Sequence, residues 1–200
     1  MVKSDVLVLG GGPGGYLAAE RAAQGGKTVT LIEKRALGGT CLNEGCIPSK
    51  ALLNSGKLYE HAKESEVFGV TAENVKIDHA KVVDRKDKVV KMLVSGVGAT
   101  MKAHKVNVVM AEGVVKGKTA DGFVVTANGE EYAADKLILA CGSVAVVPPI
   151  PGLREGLADG FVMTNQEILD MRTVPKHLTV IGGGVIGLEL ASYFNMIGVE

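Results

Sequence analysis

The chain has 200 residues, of which 46% are hydrophobic and 27 are glycine, and its 22 basic side chains balance 22 acidic ones. This balance excludes the strong net field that recruits nucleic acid or an acidic membrane surface, so we expect small-molecule ligands rather than either of those partners. No stretch approaches the ~20 apolar residues of a membrane span, no secretion signal precedes the first apolar run, and three cysteines do not make a disulfide-dense secreted domain, so we expect a cytoplasmic protein.

The first predicted elements form a strand, a glycine turn and a helix. The apolar run Val6–Leu9 predicts a strand that is buried on both faces. The spacing Gly10-x-Gly12-x-x-Gly15 follows it, and a helix is predicted over 13–24. In dinucleotide sites these glycines provide a tight turn, a bare backbone for the pyrophosphate and close packing of the helix, whose positive end binds phosphate.

The next strand supplies the acid that such a site requires. A strand is predicted over 28–32, and it ends at Glu33, about 20 residues after the glycine turn, where an acid binds ribose hydroxyls. The glycine spacing alone is weak evidence. The strand before it, the helix after it and the acid together predict a dinucleotide site.

A pair of cysteines follows this predicted site. Cys41 and Cys46 bracket a short loop, and a disulfide across so small a loop gains little from chain entropy, so a redox role fits it better than a structural one. The spacing alone leaves structural, metal-binding and redox pairs open. The only other cysteine, Cys141, and the four scattered histidines offer no obvious further ligands for zinc, so no metal site is predicted.

The middle of the chain predicts two amphipathic helices, over 51–62 and 79–103. We interpret His79 and His104 as ordinary surface residues. We also interpret the lysines of the second helix as a solvated face; these are Lys81, Lys86, Lys88, Lys91 and Lys102.

Strands are predicted again after the second helix. A strand over 106–110 is followed by antiparallel pieces between 114 and 132, in which Asn128-Gly129 is a strong hairpin turn. A last buried strand over 136–140 closes on Cys141.

The first motif then repeats. The proline-rich stretch 148–152 predicts a linker, which divides the chain into domains 1–147 and 148–200. A strand over 177–181, the turn Gly182–Gly187 and a helix over 188–197 follow it. The residue that would match Glu33 lies beyond Glu200, so the sequence does not decide between NAD and NADP.

The stretch 38–50, Gly-Gly-Thr-Cys-x4-Cys-Ile-Pro-Ser-Lys, closely resembles the active-site signature of the pyridine nucleotide-disulfide oxidoreductases. The amino-acid sequence of this stretch is most similar to that of the branch of the family that oxidises dihydrolipoyl groups. The resemblance implies an α/β fold: a Rossmann-like FAD-binding domain with a three-layer ββα arrangement and an antiparallel β meander, then the start of a second Rossmann-like domain that binds NAD. It covers the whole chain, as the N-terminal part of a longer enzyme.

The same resemblance assigns roles to individual residues. The catalytic residues would be Cys41, Cys46 and Lys50, with Lys50 paired to Glu189. Where the family has Ala-Thr-Gly-Ser, Cys141 replaces the threonine, and we interpret it as a small, semi-buried thiol in place of a hydroxyl. The residues implied around the two cofactors are Gly10, Gly12, Pro13, Gly14, Gly15, Glu33, Lys34, Gly39, Thr40, Cys46, Lys50, Gly113, Gly142, Ser143, Gly182, Gly184, Val185, Ile186, Gly187 and Glu189.

The implied activity is oxidation of protein-bound dihydrolipoamide, through a Cys41–Cys46 disulfide and FAD, with NAD as the final acceptor. A lipoyl-bearing protein would be the substrate, and the full-length enzyme would be a homodimer. A glutathione- or mercuric-reductase-like enzyme and a non-catalytic FAD-binding fragment remain alternatives. The residues beyond 200 would distinguish most of these possibilities.

Overall fold

The computed structural model describes all 200 residues and divides into two compact units. The first comprises 1–43 and 91–144, and the second comprises 44–90 and 145–200. The sequence predicted a division of the chain at residue 147 into an FAD-binding and an NAD-binding domain, and that division stays a prediction.

A six-stranded sheet in the order β3-β2-β1-β6-β5-β4 forms the centre of the first unit. Strands β1, β2, β3 and β6 run parallel, and β4, β5 and β6 make an antiparallel meander, which confirms the predicted fold class. The segments predicted near 131–132 and over 136–140 belong to one continuous strand. The strands are β1 Val2–Leu9, β2 Val29–Glu33, β3 Asn107–Met110, β4 Val114–Thr119, β5 Gly122–Ala127 and β6 Glu130–Leu139.

Three helices contribute residues to the first unit: α1 Pro13–Gln24, the short α2 Gly39–Glu44, and the C-terminal part of α4 His79–Ala103. Helix α1 has the predicted bounds, with Pro13 at its start, where the missing N–H costs nothing. Helix α2 lies where the sequence predicts a loop. Cys41 is therefore held within a helix, and Cys46 begins the next one.

The parallel strands bury alternate side chains on opposite faces, as the period of two requires. On one face Val8 and Leu31 pack with Ala19 of α1 and Met101 of α4. On the other, residues of β1 and β2 pack with residues of the meander; these are Leu7, Ile32, Val125, Ala127, Tyr132 and Ala134. The helix layer, the parallel strands and the meander therefore make the expected three-layer ββα arrangement.

The hairpin between β5 and β6 turns at the predicted residues. Asn128 and Gly129 both have positive φ, 49° and 78°, which a two-residue type I′ turn requires. The sequence prediction of this turn is confirmed.

Gly113 is half-buried and packs against core side chains of the first unit. A Cβ built on it would overlap the Leu9 side chain and lie 3.2 Å from both Ile32 Cγ2 and Val125 Cγ1. We expect Gly113→Ala to lower the free energy of unfolding by about 1–3 kcal/mol, because an added methyl overpacks this site. Urea unfolding measures the change. The control Gly98→Ala adds the same methyl within α4, where the nearest atom is 3.9 Å away, and it should not destabilise the chain.

The second unit is helical. Its core consists of Leu52, Ile168, Leu169, Leu190, Tyr193, Phe194 and Val199. Its elements are α3 Cys46–Lys63, a 3₁₀ turn Ser65–Phe68, the first turns of α4, α5 Leu153–Ala158, α6 Asn165–Asp170 and α7 Val185–Met196. None of the helices in the structure is long and apolar enough to span a membrane.

The predicted strand over 177–181 is wrong, because this segment has no regular secondary structure. Leu178 N–H donates to the Glu200 carbonyl at 2.8 Å, and Glu200 N–H donates to the Lys176 carbonyl at 3.1 Å. These two bonds have the pattern of parallel pairing, but a strand requires a longer ladder.

Two polar residues that were predicted to lie on the surface are buried. His79 is 5% exposed and Lys86 is 2% exposed. The Lys86 ammonium lies 2.6 Å from the Asp170 carboxylate and 2.8 Å from the Asp87 carboxylate. The other four lysines of α4 are exposed as predicted, and Lys86 alone departs from the solvated face because it is buried against an acidic residue 84 positions away in the chain.

Candidate active site

The first glycine turn requires glycine at two of its positions. Gly10 has a φ of +105°, and a Cβ on it would overlap the Ala140 carbonyl oxygen. A Cβ on Gly15 would overlap the carbonyl oxygen of Gly10, so the start of α1 packs directly on the turn. Gly12 differs, because a Cβ there would meet only Gly39 Cα, at 3.7 Å. The fold itself therefore tolerates a side chain at Gly12.

The N-terminus of α1 is open to a ligand. Gly12 is its N-cap residue and no side chain caps it, while Pro13 occupies the first turn. The partial positive charge of a helix N-terminus and its exposed amides favour a phosphate. The turn therefore combines a bare backbone at Gly12 with an uncapped helix end.

Glu33 lies beside this turn at the end of β2 and is 9% exposed. Its Oε2 accepts a hydrogen bond from the Gly11 N–H at 2.7 Å, and its Oε1 accepts one from the Arg35 N–H at 2.7 Å. Each carboxylate oxygen can accept a second hydrogen bond. The carboxylate is therefore held in one orientation and retains capacity for a ribose hydroxyl.

Helix α2 starts against the same turn. The Gly38 N–H donates to the Gly11 carbonyl at 2.8 Å. A Cβ on Gly39 would lie 2.6 Å from Gly12 Cα, so the two backbones are in close contact. Asn43 holds the helix from within, since its Nδ2 donates to the carbonyls of Leu37 and Gly39 at 3.0 and 2.9 Å. The chain that leads to the cysteines is thereby fixed on the glycine turn.

The two cysteines form a disulfide. Cys41 and Cys46 are bonded, and Cys141 is the only free thiol. Cys41 lies in α2 and is half-buried, whereas Cys46 is the first residue of α3 and is exposed. Lys50, one turn further along α3, is exposed, and it makes no ion pair with Glu189.

A residue between the cysteines has partners that the sequence did not reveal. In the second unit Asn165 Nδ2 donates to the Glu44 carbonyl at 2.8 Å, and Gln166 Nε2 donates to Glu44 Oε2 at 2.6 Å. Both donors lie in the first turn of α6, which begins with a capping box between Thr164 and Glu167. The local pattern Thr-x-x-Glu is a sequence signal for the start of a helix, and it could have predicted α6. Its partner between the cysteines was not readable, because it lies more than 120 residues away.

Cys141 lies two residues after the end of β6, beside the end of β1, and it is exposed rather than semi-buried as predicted, because the chain leaves the sheet at this point. Ala140 N–H donates to the Leu9 carbonyl at 2.8 Å, and the Cys141 thiol lies 3.7 Å from the same oxygen. Gly142 has a φ of +70° and open space around it. The Cys141 thiol thus makes a weak hydrogen bond to the Leu9 carbonyl in place of any hydrogen bond from a threonine hydroxyl at this position. Ser143 is exposed, as are Lys34 and Thr40.

The second glycine turn repeats the first at a spacing of 172 positions. Gly182 has a φ of +103°, against +105° at Gly10. The Leu188 N–H donates to the Gly184 carbonyl at 3.1 Å, as the Tyr16 N–H does to the Gly12 carbonyl at 2.9 Å. Helix α7 has the same length as α1, with Val185 and Ile186 in its first turn and no side-chain cap. The two turns therefore have closely similar backbone geometry.

A groove runs between α3 and α7 beside this second turn. It has a volume of about 620 Å³. Glu189 lies in it together with Lys57 rather than with Lys50, the partner that the family resemblance implied. The other lining residues are Leu53, Gly183, Val185, Leu188 and Ser192.

Two glycine turns of similar geometry, with a disulfide after the first of them, are the arrangement that the sequence analysis associated with a family of disulfide oxidoreductases. The chain belongs to the pyridine nucleotide-disulphide oxidoreductase family, whose sequence profile matches residues 4–200. Among curated relatives, it is 46% identical over 195 residues to dihydrolipoyl dehydrogenase of Acholeplasma laidlawii, covering 97% of this chain and 57% of that protein. It is 43% identical over 199 residues to dihydrolipoyl dehydrogenase of Bacillus subtilis strain 168, covering 100% of this chain and 41% of that protein.

Solved structures agree on the fold. The HOCl-induced flavoprotein disulfide reductase RclA from Escherichia coli, as its Cu(II) complex, matches with a TM-score of 0.78 at 27% identity. The match covers 100% of this chain and 42% of that one. The chain thus spans about half the length of the curated relatives that it matches, from 41% to 57%.

Proposed function

We propose that the chain is the FAD-binding and disulfide-bearing part of a NAD-dependent dihydrolipoyl dehydrogenase. The observation that carries this proposal is the Cys41–Cys46 disulfide. Cys41 lies in α2, and the first residue of α2 contacts the backbone of Gly12 in the first glycine turn. Relatives named dihydrolipoyl dehydrogenase, which match the whole chain at 40–46% identity, support the substrate class.

The residues of the first unit fit an FAD. Gly12 leaves room beside the uncapped start of α1 for a pyrophosphate, and Glu33 is oriented for a ribose. FAD bound there would supply a two-electron acceptor between the disulfide and NAD. Gly142 and Ser143, in an exposed turn, would contribute further contacts, and NAD would bind at the second turn, Gly182–Gly187.

The disulfide accounts for the first half of the chemistry. A thiolate of the dihydrolipoyl group attacks the Cys41 sulfur, which breaks the Cys41–Cys46 bond and releases Cys46 as a thiolate. The second lipoyl thiol then displaces Cys41, which leaves as a thiol. The lipoyl group loses two electrons and two protons and becomes a disulfide. The cysteine pair gains both electrons, the Cys41 thiol gains one proton, and the second proton passes to solvent. In this division of labour Cys41 meets the substrate and Cys46 faces the flavin.

The proposed partners follow from this substrate. A lipoyl-bearing protein would donate the electrons, and two copies of the full-length protein would pair, because the resemblance implies that a partner subunit supplies an acid-base pair. The cytoplasm is the proposed compartment.

Turnover of the complete protein tests the proposal against its alternatives. We expect NAD⁺ to be reduced with dihydrolipoamide, and little reaction when glutathione disulfide or Hg²⁺ is offered with NADPH. Turnover with either of those pairs and none with dihydrolipoamide would assign the chain to another reductase. Stoichiometric FAD binding with no turnover on any pair would leave a non-catalytic flavin-binding role.

Lys50 provides a test of the residue assignments. We expect Lys50→Met to raise the pH at which the long-wavelength absorbance of the Cys46 thiolate beside FAD appears, because a cation one turn away favours the thiolate. The measurement is a pH titration in the Cys41→Ser background. Lys63→Met, at the last turn of the same helix, is the control. An unchanged midpoint would show that Lys50 acts only as a surface lysine.

A further inference from the structure

His79 is a buried histidine that joins three elements of the second unit. It begins α4, its Nδ1 lies 2.7 Å from the Tyr193 hydroxyl of α7, and its Nε2 lies 2.8 Å from the Met171 carbonyl, just after α6. The rings of Tyr193 and Phe194 lie around it, with centroids 5.7 and 5.8 Å from the imidazole. Neither the proposed redox chemistry nor the nucleotide sites use this group.

The partners fix where the proton lies. A carbonyl oxygen only accepts hydrogen bonds, so His79 Nε2 carries the hydrogen and donates to Met171. In the neutral ring Nδ1 is then an acceptor, and the Tyr193 hydroxyl donates to it. If Nδ1 were protonated it would donate to that hydroxyl, whose own hydrogen would need another acceptor. Tyr193 is 0% exposed and its hydroxyl makes no other hydrogen bond, so the neutral ring is the form that fits.

The charged neighbours do not change this assignment. Asp78, next to His79 in sequence, favours the protonated ring, but it is exposed and already accepts a bond from the Lys81 N–H. Lys86, two turns along the same face of α4, pairs with Asp170. On the α7 side the contacting rings are uncharged, since burial raises the pKa of the Tyr193 hydroxyl far above neutrality.

Helix α7 is the element that carries the second glycine turn. Tyr193 lies two turns from its first residue, Val185, and Gly184 is its N-cap. Both the turn and the start of α7 face open space: a Cβ on Gly182, Gly183 or Gly184 would meet nothing within 4 Å. Helix α7 is held instead by its buried face, on which Leu190, Tyr193 and Phe194 pack into the core of the second unit and the Tyr193 hydroxyl bonds to His79.

We infer that His79 is a positioning residue for the second nucleotide turn, holding α7 through Tyr193 only while its imidazole is neutral. The inference rests on the proposed function, in which that turn binds a dinucleotide. Protonation of His79 would therefore lower the affinity for the nucleotide, although His79 does not contact the nucleotide.

The direction of the pH dependence follows from burial. Burial lowers the pKa of His79 from its ordinary value of 6.5. The contribution of the His79 contact is therefore complete above pH 6.5, and it is lost as the pH falls from there toward the lowered pKa. If only the neutral ring holds α7, the ratio of held to released α7 should fall by up to about tenfold between pH 7.5 and 5.5.

The first experiment needs no cofactor. Amide hydrogen exchange of the chain, corrected for intrinsic rates, is measured at Leu188 to Leu190 in α7 at pH 7.5 and 5.5. We expect protection to fall by up to about tenfold in the wild type, and to be low and independent of pH in Tyr193→Phe, which keeps the ring and removes the donor. His61→Gln, at an exposed histidine of α3, should match the wild type. Equal pH dependence in the wild type and Tyr193→Phe would overturn the inference.

The second experiment separates this inference from the proposed function. NADH binding to the complete protein is followed by fluorescence at the same two pH values. A positioning role is supported if NADH binds more weakly at pH 5.5 than at pH 7.5 in the wild type and if this difference is absent in Tyr193→Phe. At each pH, dihydrolipoamide should reduce the disulfide equally well in the two proteins. If NADH does not bind at either pH, the proposed function fails, while the exchange result still decides whether His79 holds α7.

Discussion

Gly12→Val should give a folded protein that has lost its yellow colour. A Cβ at Gly12 has room in the fold, since its only neighbour within 4 Å is Gly39 Cα at 3.7 Å. The added branches would instead occupy the space beside the α1 N-terminus where a pyrophosphate belongs. We expect FAD affinity to fall by at least roughly a hundredfold, which corresponds to about 2.7 kcal/mol.

The measurement is flavin content after gel filtration, with the circular dichroism spectrum and the number of free thiols as checks on folding. Gly96→Val, at an exposed position of α4 with no atom within 4 Å, is the matched control and should stay yellow. Gly15→Ala should differ from both, because its Cβ would overlap the Gly10 carbonyl and disrupt the turn itself. Recovery of stoichiometric FAD with Gly12→Val would remove the first turn from the proposed site.

Replacing either cysteine of the pair should abolish turnover with dihydrolipoamide, by roughly a thousandfold or more, because the disulfide is the electron acceptor in the proposed exchange. The two variants should nevertheless have different spectra. Cys41→Ser leaves a Cys46 thiolate beside the flavin and should show a long-wavelength absorbance band. Cys46→Ser leaves the thiol on the substrate side and should not.

Cys141→Ser is the control for this pair. Its thiol is outside the disulfide and replaces a hydroxyl of similar size, so the variant should retain both the turnover and the parent spectrum. Identical spectra for Cys41→Ser and Cys46→Ser would contradict the division of labour between the two cysteines, although not the disulfide.

The sequence predicted most of the first unit, because its signals are local. The bounds of α1 followed from Pro13 and the glycines around it, and the hairpin followed from Asn128-Gly129. The six-stranded order could not be read in the same way, since pairing of β1 with β6 joins residues about 130 positions apart. The resemblance to a family supplied the expected meander, which the structure confirms.

The misses share one physical cause. Lys86 and His79 occupy polar positions of an amphipathic helix, and polar residues at such positions usually face water. Here each is paired with a group that the fold brings from a distance: Asp170 for Lys86, and Tyr193 with Met171 for His79. The strand predicted over 177–181 failed for the complementary reason, because an apolar run becomes a strand only where it finds a ladder to join.

In the proposed function, this chain couples a dihydrolipoyl dithiol to a bound flavin through Cys41 and Cys46. Anaerobic addition of dihydrolipoamide to the FAD-loaded complete protein tests it most directly. We expect the oxidised flavin absorbance to be lost in the wild type and retained in Cys46→Ser, while dithionite reduces both proteins. Flavin that dithionite reduces but dihydrolipoamide leaves oxidised in the wild type, or equal reduction by dihydrolipoamide in Cys46→Ser, would contradict the claim.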